Sequence, residues 1–286
     1  MTRERRATGH AGRRKVASKV ATHVALVIAS ILLIAPILYI VLNSFKVTED
    51  IFKVPPSILP ERWTLENYEN VLFSGGFGNY FTNTVVITVV GVLLVVVLSS
   101  LAGYGFSKLR FRGSGILFAA IIATLTLPLA ILLVPMFIME NATGLLNTQL
   151  GLILPNVAVN LPFAILIMNK HFSDIPQELE DSAAIDGAGR FRRWWSVMLP
   201  LTRNGMILVT VITTYSIWGE YTLAKTLSTS PYGMPLSVGL TLLKSEVWEY
   251  GTLAAVITLA IIPPITIFLL FQGKIVAGIT QGSVKG

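Results

Sequence analysis

Residues 176–201 read PQELEDSAAIDGAGRFRRWWSVMLPL. Four acids and three arginines surround a smooth Ser-Ala-Ala patch and two glycines. On either side the chain is hydrocarbon, with no Lys, Arg, Asp or Glu in 141–169 or in 204–219. Ionised side chains are costly at membrane depth. A charged, glycine-punctuated segment between two apolar runs therefore lies outside the bilayer core, as a surface loop joining two spans. The same test, applied outward, locates the remaining spans.

Charge-free windows recur at 20–45, 70–107, 113–139 and 250–273. A helix needs about 20 residues to cross the hydrocarbon. Only 204–219 falls short, and it reaches that length if Glu220 lies within the span. Transmembrane helices are expected near 21–43, 84–106, 115–138, 149–169, 205–224 and 252–272. Composition agrees, at 53% hydrophobic, 13% charged and a mean hydropathy of +0.70. A soluble domain carries roughly twice that charged fraction. The expected fold is an all-α integral membrane protein with six transmembrane helices in 21–273, a basic tail at 1–20 and a second tail at 274–286. The first apolar run is longer than a signal-peptide core and no small-residue cleavage site follows it, so it is expected to be retained. Prolines at 36, 128, 135, 155, 162, 263 and 264 predict bent helices.

Several function classes drop out. The chain has no cysteine, and His10, His23 and His171 are scattered, so no metal site and no catalytic nucleophile–base arrangement is visible. The net charge of +7 is not a nucleic-acid signal, because residues 1–21 hold seven cations against Glu4 alone. Such a tail beside a first span sets topology. An ion-coupled secondary transporter needs ionisable groups near the midplane, and no span carries one at its centre.

Orientation follows from the basic residues. The tail, 107–114, 170–204 and the C-terminus hold seventeen; Lys46, Lys53, Arg62, Lys225 and Lys244 are the five on the other side. The positive-inside rule places both termini and the 170–204 loop in the cytoplasm.

Within that loop, Ser173 or Asp174 is expected to cap a helix with Pro176 in its first turn. Glu178, Glu180 and Asp181 then lie near its positive end. Ser182, Ala183 and Ala184 let another surface approach closely, and Gly187 and Gly189 end the helix. Arg190, Arg192, Arg193, Trp194 and Trp195 make an interfacial belt. The residues alone suit a docking helix or a plain amphipathic connector equally well.

Asp181-Ser182-Ala183, three residues, Gly187, nine residues, then Val197-Met198-Leu199-Pro200 resembles the EAA loop of ABC importer permeases. Asp stands for Glu at 181, Ser for Ala at 182 and Val for Ile at 197. WTLENY (63–68), AGYGFSKLRFRG (102–113), GLLNTQLGLILP (144–155), WGEY (218–221) and GSVKG (282–286) resemble the smaller six-span permease of maltose-type carbohydrate importers. That group usually has Asn where this chain has Gly219.

The resemblance implies a cytoplasmic coupling helix between spans four and five, with Asp181, Ser182, Ala183, Ala184, Asp186 and Gly187 facing an ATPase. It also implies a second permease as partner, a dimer of cytoplasmic ABC ATPases, an extracytoplasmic solute-binding protein and a bacterial-type inner membrane. No cofactor is expected on this chain; the Gly-x4-Gly-Lys-Ser/Thr phosphate loop is missing, so ATP belongs to the partner ATPase. The implied function is passage of a sugar or oligosaccharide, with a peptide or amino-acid permease as the alternative. Asn160, Trp218, Glu220 and Tyr221 are the pathway candidates, Glu220 as the only acid in an expected span. Packing for Asn160 and interfacial anchoring for Glu220 are the competing readings. In the external loops, at about 44–83 and 225–251, MPLSVGL (234–240) could insert into a partner or cover the bundle.

Overall fold

The computed structural model describes residues 4–73, 76–109, 111–230, 233–243 and 250–283, with side chains from 18 to 273 except 74–75, 110, 231–232 and 242–249. The cations of 1–17, Arg110, Lys244, Lys274 and Lys285, and the GSVKG motif, lie outside the described side chains. The regular structure of the described residues is helical, joined by turns and coil, with one isolated bridge, Lys46 with Trp63.

Among the described residues, four helices are long and apolar enough to cross a membrane: Ser18–Asn43, Phe77–Lys108, Gln149–Ser173 and Tyr250–Gly273. Two further spans come from bent pairs, Ser114–Thr126 with Leu129–Thr143, and Arg203–Trp218 with Arg190–Leu201 leading into it, giving about six. The first span is the C-terminal part of a helix that starts at Glu4, and the last continues to Ser283.

The third span is expected as one bent helix, and the bend amounts to a break of 102°. Pro128 causes this: a residue before proline is driven out of the helical region, and Leu127 is extended at φ −79°, ψ 120°. Pro36, Pro135, Pro155, Pro162, Pro263 and Pro264 stay inside helices. The fifth span is shorter than expected, ending at Trp218 with Gly219 as its C-cap. Glu220 therefore lies beyond it, a correction to its expected place inside the membrane helix. Its two carboxylate oxygens accept the backbone N–H groups of Leu223 (2.7 Å) and Ala224 (2.9 Å), capping the short helix Thr222–Leu227.

The chain divides into two compact units, Met1–Ser74 with Trp248–Leu259 and Gly75–Val247 with Ala260–Gly286. In the first, WTLENY folds back on the end of the first span. The Asn67 amide donates to the carbonyls of Ser44 (3.0 Å) and Lys46 (2.8 Å), while Phe45 packs against Trp63 and Tyr68. The most apolar 18-residue window of the first span is wholly unburied, and Ile31, Leu32 and Leu33 are all exposed.

In the second unit the core lies between the second and fourth spans, where Val95, Leu152, Met168 and Phe172 are fully buried. Gly103 permits the approach: a Cβ there would stand 2.7 Å from Met168 Cβ and 2.8 Å from the Asn169 backbone nitrogen. The MPLSVGL segment covers this bundle, with Met234, Leu236 and Val238 buried. It is held by Asn83, whose amide donates to the Met234 carbonyl, and by Thr84, whose hydroxyl accepts from Leu236 N–H.

Candidate functional site

The loop between the fourth and fifth spans forms one helix, Gln177–Ile185, then a sharp turn, then Arg190–Leu201. Ser173 and Asp174 do not cap it. Ser173 ends the preceding helix, and Asp174 pairs with Lys170 at 2.6 Å. Pro176 is the N-cap rather than part of the first turn, because its own ψ of 138° is extended rather than helical.

The far end is closed by Gly187 at φ +78°. Gly187 N–H donates to the Ala184 carbonyl (3.1 Å) and Ala188 N–H to the Ala183 carbonyl (3.0 Å), the paired bonds of a Schellman turn. After the turn, Trp194–Met198 forms a π-helical segment that buries Trp194 and Met198 and leaves Trp195 exposed. Thr202 then starts the fifth membrane helix at 78° to Arg190–Leu201.

One face of the Gln177–Ile185 helix is free. Asp181, Ser182, Ala184, Asp186 and Gly187 are exposed, Ala183 is half-buried, and Ile185 is 86% exposed. Asp181 accepts from the Gln177 amide at 3.1 Å, and the Ser182 hydroxyl turns back to the Glu178 carbonyl. The surface is small-sided and acidic, with an apolar tip at Ile185.

The other face is anchored by residues whose role sequence reading did not single out. Glu180 is buried, and its Oε1 accepts from the Tyr104 hydroxyl at 2.8 Å and faces Arg193 Nη1 at 3.5 Å. Lys108 donates to the Ile175 carbonyl at 2.7 Å, and Tyr104 lies edge-on to Phe172. The signal was present in AGYGFSKLRFRG, whose Tyr104 and Lys108 sit four residues apart on one helix face.

The pathway candidates are not gathered into one site. The Asn160 amide donates to the Asn156 carbonyl, Glu220 caps a helix, and Tyr221 is exposed. Trp218 donates its indole N–H to the Ala260 carbonyl and lines an open groove of about 510 Å³ with Thr88, Thr210 and Thr214. Thr88 is buried there with a hydroxyl that has no hydrogen-bond partner. Among the described residues no cluster of His, Asp or Glu could hold a metal ion.

Residues 95–281, which include this whole loop, match the family of binding-protein-dependent transport system inner membrane components. The chain belongs to that family. Relatives extend over nearly its full length. It is 33% identical to the diacetylchitobiose uptake system permease protein NgcG of Streptomyces coelicolor, covering 92% of this chain and 88% of that protein. It is 30% identical to the inner membrane ABC transporter permease protein YcjP of Escherichia coli (96% and 99% covered). Identity to the trehalose transport system permease protein SugB of Mycobacterium tuberculosis is 31% (88% and 92%). Among solved structures, a chain of a bacterial ABC transporter involved in the import of the acidic polysaccharide alginate superposes with a TM-score of 0.79 at 25% identity, covering 91% of this permease and 97% of that chain. The protein is thus a multi-pass, non-catalytic permease subunit of an ABC importer, located in the plasma membrane. The family assignment removes the ion-coupled alternative.

Proposed function

We propose that this permease pairs with a second permease around one sugar or oligosaccharide pathway, and that residues 176–201 dock on a dimer of cytoplasmic ABC ATPases. The observation that carries the docking reading is the free face of Gln177–Ile185, closed by the Gly187 turn and anchored at its back through Glu180. A plain connector needs no such surface. Both termini and this loop are cytoplasmic by the distribution of basic residues. ATP is hydrolysed by the partner, and an extracytoplasmic binding protein delivers the solute; a related alginate importer has been crystallised with a pentasaccharide-bound periplasmic protein.

The names of the relatives support carbohydrate, since diacetylchitobiose, trehalose and arabinooligosaccharides recur among them. Of the four pathway candidates, Trp218 lines the large open groove, whose walls are mainly apolar, and it is the best-placed pathway residue. Asn160 and Glu220 are engaged within the chain and are proposed to shape the path rather than to contact solute.

The test is uptake by cells with and without this permease, using labelled diacetylchitobiose, trehalose and a dipeptide as probes. ATP-dependent loss of a sugar uptake on deletion is the expected result. Loss of dipeptide uptake with both sugars unaffected would overturn the carbohydrate assignment.

A further inference from the structure

We infer that Glu180 is a positioning residue that fastens the docking helix to the ends of three spans, so that they move as one body; this rests on the docking reading above. Glu180 lies immediately before the Asp-Ser-Ala-Ala patch, and its side chain is 3% exposed, although its helix is otherwise mostly at the surface. A carboxylate in such a place is retained only with partners. Here the partners come from separate parts of the chain. Tyr104 belongs to the last turns of the second span and packs on Phe172 at the end of the fourth. Arg193 belongs to the stretch that leads into the fifth. Gln177, on the docking helix itself, reaches Oε2 at 3.4 Å.

The helix is not continuous with its neighbours on either side. The helix is joined to the fourth span by Asp174–Pro176 and to the next stretch by Asp186–Gly189, both short non-helical links. Lys108, bonded to the Ile175 carbonyl, braces the first link. Among the described residues, Glu180 joins the helix through its carboxylate to both Tyr104 of the second span and Arg193 of the stretch before the fifth. With that knot intact, displacement of the exposed face is delivered to the span ends; without it, the helix tilts about its two links and the spans stay behind. Asp181 and Ala184 would then bear on the ATPase, and Glu180 would pass the movement inward.

The chain has no cysteine, so a spin-label pair placed in it is specific once any cysteines of the partner subunits are replaced. Glu178→Cys, on the exposed part of the docking helix, and Arg112→Cys, in the exposed turn after the second span, report their separation. The complete importer is purified in detergent and measured by electron–electron resonance, nucleotide-free and with ATP and vanadate. Glu180→Gln and Tyr104→Phe are made in this labelled background, the second deleting one hydroxyl. The ATPase is expected to co-purify with all three proteins. The unsubstituted pair should give one narrow distance in both nucleotide states. Both variants should show a second distance population, enriched roughly fivefold or more. Narrow, unchanged distances in both variants would overturn the inference. So would loss of the ATPase from Tyr104→Phe, because the cluster would then shape the dock rather than transmit from it. Absence of the ATPase from the unsubstituted complex would instead remove the docking reading, and the role of the knot with it.

Discussion

Gly103→Ala adds one methyl group where the second and fourth spans approach. That carbon would stand 2.7 Å from Met168 Cβ, 2.8 Å from Asn169 N and 2.9 Å from the Met168 carbonyl carbon. All three atoms are backbone or fixed to it, so no rotamer change relieves the contact. Restoring an ordinary carbon–carbon separation requires the helices to part by about 1 Å, which also weakens dispersion contacts along the seam. Overpacking of this kind costs about 1–3 kcal/mol. The helix preference for Ala over Gly returns about 0.5–1 kcal/mol. The expected net loss is about 0–2.5 kcal/mol. Gly105, two residues on in the same helix, has nothing within 4 Å of a built Cβ. Gly105→Ala should therefore keep only the gain. Thermal unfolding of the purified importer, followed by circular dichroism, separates the two; each kcal/mol moves a midpoint by about 2–4 °C. Equal midpoints, or a higher one for Gly103→Ala, would refute the reasoning, because the seam would then be loose enough to absorb a methyl group.

Other consequences follow from single residues. Gly187→Ala meets no atom within 4 Å, so its cost is the left-handed backbone alone, about 1–2 kcal/mol; faster proteolysis at the turn should reveal it, and Gly187→Asn should be milder. Glu220→Ala removes the acceptor for two N–H groups and should lower stability by about 0.5–2 kcal/mol without changing transport per folded molecule. Asn67→Leu leaves the Ser44 and Lys46 carbonyls without its amide, a cost of about 1–3 kcal/mol for each group left unsatisfied. Hydrogen exchange across 44–68 should quicken.

The spans were legible because ionised residues are excluded from hydrocarbon whatever the packing. Their ends were less so. The second helix begins at Phe77 rather than near 84, because the polar Asn83 is taken into it and held by Gln149 and the Met234 carbonyl. Only one of the span prolines breaks its helix, and sequence does not distinguish Pro128 from Pro135, seven residues later. Whether neighbours re-satisfy the freed backbone is a tertiary matter. Glu220 was drawn into the fifth span by counting; Gly219 stopped the helix first. In the loop, the motif spacing located the free face of the helix, whereas the buried face depended on Tyr104 and Arg193 arriving from distant positions. No periodicity within nine residues could have shown that.

The most direct test of the docking claim is a pull-down from native membranes of the tagged permease, compared with Ala184→Arg and Gly187→Asp variants present at equal levels. Ala184→Arg adds a long cation to the exposed patch, and Gly187→Asp strains the turn that closes the helix. An ABC ATPase should co-purify with the unmodified protein and be depleted by either substitution. If both variants retained it fully, residues 176–201 would be a connector and the ATPase would dock elsewhere.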